Sequence, residues 1–138
     1  MGSYGNYLEA KVLDAVFGQT ALPAIGTVYV ALYTATPTDA NASGTEVTGG
    51  GYARVAVTNN VTNWPAASGT APTRKANGTA ITFPAPTANW GTITSFAIYD
   101  ASTAGNELAW GALTTNKTVN NGDAAPSFAA GALTIDLD

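Results

Sequence analysis

The sequence predicts a mainly β protein, an antiparallel β-sandwich of jelly-roll or immunoglobulin-like type, with one short N-terminal α-helix. Three observations carry this. Beyond Gly26 the apolar residues recur at every second position in short runs, the spacing of half-buried strands. Between those runs lie segments rich in Gly, Pro, Asn, Ser and Thr, the residues of turns. Only before Gly18 does the apolar spacing become helical. At 138 residues the chain fits one sandwich domain spanning 1–138.

The helix is expected over about residues 7–17. Asn6-Tyr7-Leu8-Glu9 reads as a capping box, with Asn6 accepting from a first-turn N–H and Glu9 reaching back. Leu8, Val12, Ala15 and Val16 form one apolar stripe, widened by Leu13 and Phe17, and Gly18 is the expected terminator. About eleven residues are marginal for an isolated helix, so this one must pack on something.

The strands follow in order. Thr27–Thr34 sets Val28, Val30 and Leu32 against Tyr29, Ala31 and Tyr33. Tyr52–Thr58 sets Ala53, Val55 and Val57 against Tyr52, Arg54 and Ala56. Thr79–Phe83 aligns Ile81 with Phe83 and stops at Pro84. Thr92–Tyr99 opposes Thr94, Phe96 and Ile98 to Ile93, Ala97 and Tyr99. Glu107–Leu113 puts Leu108, Trp110 and Ala112 on one side. The last run, from Phe128, alternates Leu133, Ile135 and Leu137 with Thr134, Asp136 and Asp138. Two loops, 35–50 and 59–78, are long for a compact domain. Loops of that length are usually functional or held by a neighbour.

Composition excludes most familiar chemistry. The chain has no His and no Cys. It therefore lacks a Ser-His-Asp triad, a thiolate nucleophile, a disulfide and a zinc-thiolate site. A net charge of −4, with five scattered basic residues, argues against a nucleic-acid footprint. The uncharged stretch from Ala15 to Thr38 is interrupted by Gly18, Gln19, Pro23, Gly26 and Pro37, so it does not read as a membrane span. No secretory signal is expected at the start.

The remaining candidates are weak as chemistry. Asp39 and Glu46 share a loop, Asp100 and Glu107 bracket a hairpin, and Asp136 and Asp138 share a strand face. Each pair has the ordinary roles of cap, turn former and solubiliser, so no catalytic residue is assigned. Asp39-Ala-Asn41-Ala-Ser43-Gly44 matches the opening of an EF-hand loop, but Gly50 stands at the twelfth position and no helix flanks it. It reads as an Asx/Ser turn cluster, with no metal and no cofactor assigned. Trp64 and Trp90, in connections, could present flat faces for glycan stacking or lock their loops by burial. Trp110, on a patterned strand, reads as core. Tri-glycine Gly49–Gly51 lets the backbone approach a neighbour closely.

The run of segments resembles a family of small tailed-bacteriophage proteins often labelled tail-fibre proteins. The match lies in Tyr7-Leu8-Glu9-Ala10-Lys11-Val12-Leu13-Asp14, then Thr27–Thr34 with Pro37-Thr38-Asp39. It continues in Gly44-Thr45-Glu46-Val47, Gly51-Tyr52-Ala53-Arg54, Ile81-Thr82-Phe83-Pro84 and Trp90-Gly91-Thr92-Ile93. Ile98-Tyr99-Asp100, Gly111-Ala112-Leu113-Thr114, Lys117-Thr118-Val119 and Gly131-Ala132-Leu133-Thr134 close it. Nearly the whole chain is covered apart from 64–75, and no catalytic motif is included.

The resemblance implies a non-enzymatic virion component, assembled in the host bacterial cytoplasm. The chain has neither the length nor the repetition of a fibre shaft. The first expectation is therefore an oligomeric capsid-decoration (cement) protein. The alternative is a tail-fibre or appendage component that recognises host glycans. Charged residues make only 10% of the chain, against 27 Ala and 21 Thr, which suits subunit interfaces depleted in charge. The expected partners are further copies of itself, such as a trimer, and the major capsid or tail proteins. Leu8, Val12, Val16, Phe17 and Trp64 are the expected contact residues. Trp64 and Trp90 would carry the glycan alternative.

Overall fold

Alternating β-branched and aromatic residues need a partner strand on each side, and the chain supplies them by antiparallel pairing throughout. The computed structural model describes residues 2–40 and 43–137. Strands β1 (Gly2–Tyr4), β2 (Thr27–Ala35), β3 (Thr45–Glu46), β4 (Val55–Thr58), β7 (Gly91–Tyr99) and β8 (Glu107–Val119) form one sheet. Its order is β1-β8-β7-β2, with β3 and β4 sharing the outer side of β2. Two ribbons make further sheets: β5 (Thr73–Ala76) with β10 (Thr134–Leu137), and β6 (Ile81–Thr82) with β9 (Ser127–Phe128). A mainly β, antiparallel architecture consistent with a sandwich is the result, with α1 (Asn6–Gly18) the helix among the described residues.

Both faces of β2 and β7 are covered, as the alternation requires. Val28, Val30, Leu32, Phe96 and Ile98 point into a core completed by Trp64, Ile81, Phe83 and Leu133. Ala31, Tyr33, Ala97 and Tyr99 form a second buried cluster on the opposite face, with Tyr29 and Trp110 packed against it. Two register shifts change what the sequence pattern suggested. Pairing slips between Ile93 and Ser95, so Ile93 joins Phe96 and Ile98 in the core instead of opposing them. Ile98 pairs Ala109 while Tyr99 pairs Glu107, which leaves Leu108 as the extra residue of a bulge. Leu108 therefore packs in the core, and Trp110 lies on the other face.

The long loops contain strands that lack a hydrophobic alternation. The 35–50 loop carries β3 and the 59–78 loop carries β5, where Thr73-Arg74-Lys75-Ala76 pairs Thr134–Leu137. This pairing also reverses one expectation at the C-terminal run. Asp136 is buried against Arg74, at 2.6 and 2.7 Å, while Leu137 is 49% exposed. Asp138 lies outside the described residues.

The helix ends differ from the capping pattern as well. Gly5 is the N-cap, without a side-chain cap, and Asn6 is already helical. Gly5 is required there by space, because a Cβ would stand 2.7 Å from the Glu107 carbonyl oxygen. At the other end Gln19, not Gly18, takes the left-handed conformation, at φ 55°. The N–H groups of Gln19 and Thr20 both turn back onto the Asp14 carbonyl, the latter at 3.1 Å, and close the helix end. A left-handed residue with a Cβ is strained, so Gln19→Gly is expected to stabilise the protein by about 0.5–1 kcal/mol. A urea denaturation midpoint that moves down would contradict this.

Candidate functional site

The second face of the sheet holds a connected polar cluster. β2 pauses between β4 and β3 at Leu32, where no partner strand serves its outer edge. There the Leu32 N–H donates to the Tyr52 hydroxyl at 3.0 Å, and Val47 N–H donates to the Leu32 carbonyl at 3.0 Å. The Tyr52 hydroxyl in turn donates a hydrogen bond to Glu46 Oε1 at 2.8 Å. Arg54 grips both oxygens of Glu46, each at 2.9 Å, and donates to the carbonyls of Ala101 and Ala104 at 3.0 and 2.8 Å. Its guanidinium lies 3.8 Å from the Tyr99 ring centroid. Tyr33 and Tyr99 share a hydroxyl–hydroxyl hydrogen bond, and Tyr99 also reaches Glu107 Oε2 at 3.4 Å.

This arrangement is a clasp. Arg54 spends its donors on Glu46 and on the 100–106 turn, which Asp100 itself closes by accepting from Asn106 N and Nδ2. The cleft beside it, about 360 Å3 and lined by Tyr33, Ser43, Glu46, Arg54 and Tyr99, faces side chains already partnered within the chain. Removing the clasp should loosen the turn. Arg54→Ala is expected to cost about 2 kcal/mol, since it strands Glu46 and two carbonyls, and to speed amide exchange across 100–106. Unchanged exchange there would refute the assignment.

Glu107 is the most perturbed acid. Burial at 1% exposure pushes its carboxyl up to about 7, opposed by the Tyr99 hydrogen bond and helped to a smaller extent by the nearby Asp39 charge. The sequence grouped Glu107 with Asp100, and Asp39 with Glu46. The fold instead sets Asp39 beside Glu107, Glu46 on Arg54, and Asp100 in its own turn. Asp39 accepts from Trp110 Nε1 at 2.6 Å, which makes that half-buried indole a strut rather than core. Asn41 and Ala42 of the EF-hand-like run lie outside the described residues. Ser43 Oγ is engaged by Thr38 at 2.7 and 2.6 Å. Among the described residues, no group of three or more acids could hold a metal.

Both loop tryptophans are interior. Trp64 and Trp90 are each 6% exposed, so neither ring has a free face for a sugar. Trp90 donates to the Gly50 carbonyl at 2.8 Å and meets Tyr52 edge-on. Gly50 makes this approach possible, because a Cβ there would lie 2.9 Å from the indole nitrogen. The tri-glycine thus serves the close backbone approach expected of it. Trp64 lines a cleft of about 530 Å3 together with Leu8, Val28, Ile135 and Leu137, and with Arg74 and Lys75.

The helix residues divide. Tyr7 and Leu8, in the first turn, pack against the core, and Val12 is half-buried. Val16 is 65% exposed and Phe17 82%. No residue of α1 is fully buried, so the stripe, with Val16 and Phe17 among the expected contact residues, is largely unpartnered in the chain itself. No helix of the described residues is long and apolar enough to cross a membrane.

Sequence reasoning missed the clasp and the acid pair, although one signal was present. Tyr33 and Tyr99 alternate with small residues on the second face of their strands, and Tyr52 and Arg54 share a face two residues apart. A face lined by Tyr and Ala with one Arg predicts a second packed layer.

Together these features define a β-rich structural module, with its polar groups committed to holding loops and an apolar helix end left outside. A family model described as podophage GP4 fiber I protein gp80 matches residues 3–136. The chain belongs to that family, which makes it a fibre-type structural component of a phage virion. A search of curated proteins gave no match.

Proposed function

We propose that this protein is a non-enzymatic building block of a tail appendage, acting through contacts among virion subunits. The observation that carries the reading is the outer half of α1. It presents Leu13, Val16 and Phe17 at 57%, 65% and 82% exposure, an apolar face that solvent does not favour. The fibre designation of the family supports an appendage over capsid decoration. Catalysis finds no support in the clasp, whose acids are tied to Arg54, Trp110 and the 100–106 turn.

Assembly then precedes any host contact and takes place where the virion is built, in the bacterial cytoplasm. The test is location. Labelling of intact particles with an antibody to this protein, or a reconstruction of the particle, is expected to place it on the tail. A position on the head shell would replace this reading with capsid decoration.

A further inference from the structure

We infer that the exposed end of α1 seats in the apolar cleft beside Trp64 of a second copy, joining copies head to tail. The inference rests on the appendage reading above and names the partner for the same helix. Two unfilled features of one chain complement each other. The first is a knob, formed by Leu13, Val16 and Phe17 with Leu22 (52% exposed) just beyond the helix. The second is the cleft of about 530 Å3, walled by Leu8, Val28, Trp64, Ile135 and Leu137.

They also match in polarity. The Trp64 indole lines the cleft as an apolar ring, with its N–H buried beneath. A helix C-terminus is rich in acceptors, because its last four carbonyls lack intrahelical donors. The last turn of α1 contains no basic residue and follows Asp14, so this end is negative. At the cleft edge Arg74 is neutralised by Asp136, whereas Lys75 forms no ion pair among the described residues. An apolar knob with a negative end thus meets an apolar cleft with a spare cation among its lining residues.

Geometry makes the contact heterologous. Leu8 belongs to the cleft and Phe17 to the knob, nine residues apart on one helix, or about 13 Å along its axis. A chain cannot fill its own cleft with its own knob across that rigid span. Copies related by this contact continue in one direction, closing into a ring or extending as a row. The knob is small beside a standard interface, so each contact is weak singly and strengthened by repetition.

Sedimentation velocity on the full chain, from about 1 µM to about 1 mM, tests this. Wild type is expected to self-associate with rising concentration. Phe17→Asp should abolish association, and Lys75→Glu should weaken it about tenfold. Ala67→Trp fills the cleft from its exposed wall and should also prevent self-association.

A mixture of the Phe17→Asp and Ala67→Trp proteins is expected to give a one-to-one complex that grows no further. One partner still offers a cleft and the other a knob. Monomeric wild type throughout, association of Phe17→Asp like wild type, or a mixture that stays monomeric would each overturn the inference. So would binding of decanoate by a chain that never self-associates, which would assign the cleft to a small amphiphile. A tail location on the particle with monomeric protein in solution would leave the appendage reading standing and remove this one.

Discussion

Asn77→Ala is expected to lower the stability of the protein by about 3–4 kcal/mol. Asn77 is 2% exposed and ties its own turn to the distant 129–133 segment. Its Nδ2 donates to the carbonyls of Thr79 and Ala129 at 2.9 and 3.0 Å, and its Oδ1 accepts from Leu133 N–H at 2.9 Å. The main chain adds bonds to Leu133 O and from Gly131 N, at 3.2 and 2.7 Å. Alanine preserves those two and deletes the side-chain three. The Leu133 N–H belongs to a fully buried residue, so no solvent replaces the lost acceptor. An unmet buried donor costs about 1–3 kcal/mol, and two weakened carbonyls add to it. The measurement is urea unfolding, where the midpoint should fall with an unchanged slope. Asn77→Asp gives the control: it retains the acceptor but turns a negative oxygen toward two carbonyls. It should be as damaging at neutral pH and recover partly in acid. A loss below about 1 kcal/mol in Asn77→Ala would refute the staple.

Asn77 also shows where sequence reading stops. Asn77-Gly78 reads as a turn signal, which is correct for the local chain and silent on its partners at 129 and 133. The elements written by period were legible: β2, β4, β7 and the start of β8 stand where two-residue alternation put them. Those written by pairing alone were not. β1, β3 and β5 hold few apolar residues and become strands because a neighbour offers an edge. The bulges at Ile93/Ser95 and Ile98/Tyr99 shift side chains between faces without altering the composition of either strand. The sequence left burial and exposure of Trp64 and Trp90 both open, since a loop position says nothing about what folds over it. On α1 the sequence named the right apolar residues and expected Leu8, Val12, Val16 and Phe17 at contacts with other subunits. Within the chain Leu8 packs against the core and Val12 is half-buried, while Val16 and Phe17 stay exposed.

The protein is expected to lose stability as the pH rises from about 4.5 to about 7, and Glu107→Gln is expected to remove that loss. The Glu107 carboxyl titrates near 4.5 when exposed and is held up to about 7 in the fold, chiefly by burial and secondarily by Asp39. Between those values the unfolded chain has released a proton that the folded chain still holds. Stability therefore declines with rising pH across the window, is fully present below it and is spent above it. The upper limit of the effect is on the order of 3 kcal/mol, or on the order of 10 °C in melting temperature. Gln carries no charge to desolvate and keeps a polar group near the Tyr99 hydroxyl, so the variant should match wild type near pH 5 and exceed it near pH 8. Asp39→Asn separates the two causes. It keeps an acceptor for Trp110 Nε1 and removes the repelling charge, so the wild-type window should shift modestly toward lower pH while persisting. Melting curves collected from pH 4 to 9 on the three proteins decide the matter. Parallel profiles for wild type and Glu107→Gln would mean that the carboxylate is already charged and solvated in the fold. A Glu107→Gln protein less stable at every pH would mean that the carboxylate is needed as an acceptor for Tyr99. The favoured outcome couples folding to mild acid through a carboxyl lodged between the helix N-terminus at Gly5 and the tyrosine pair, where the backbone approaches too closely for water to screen it.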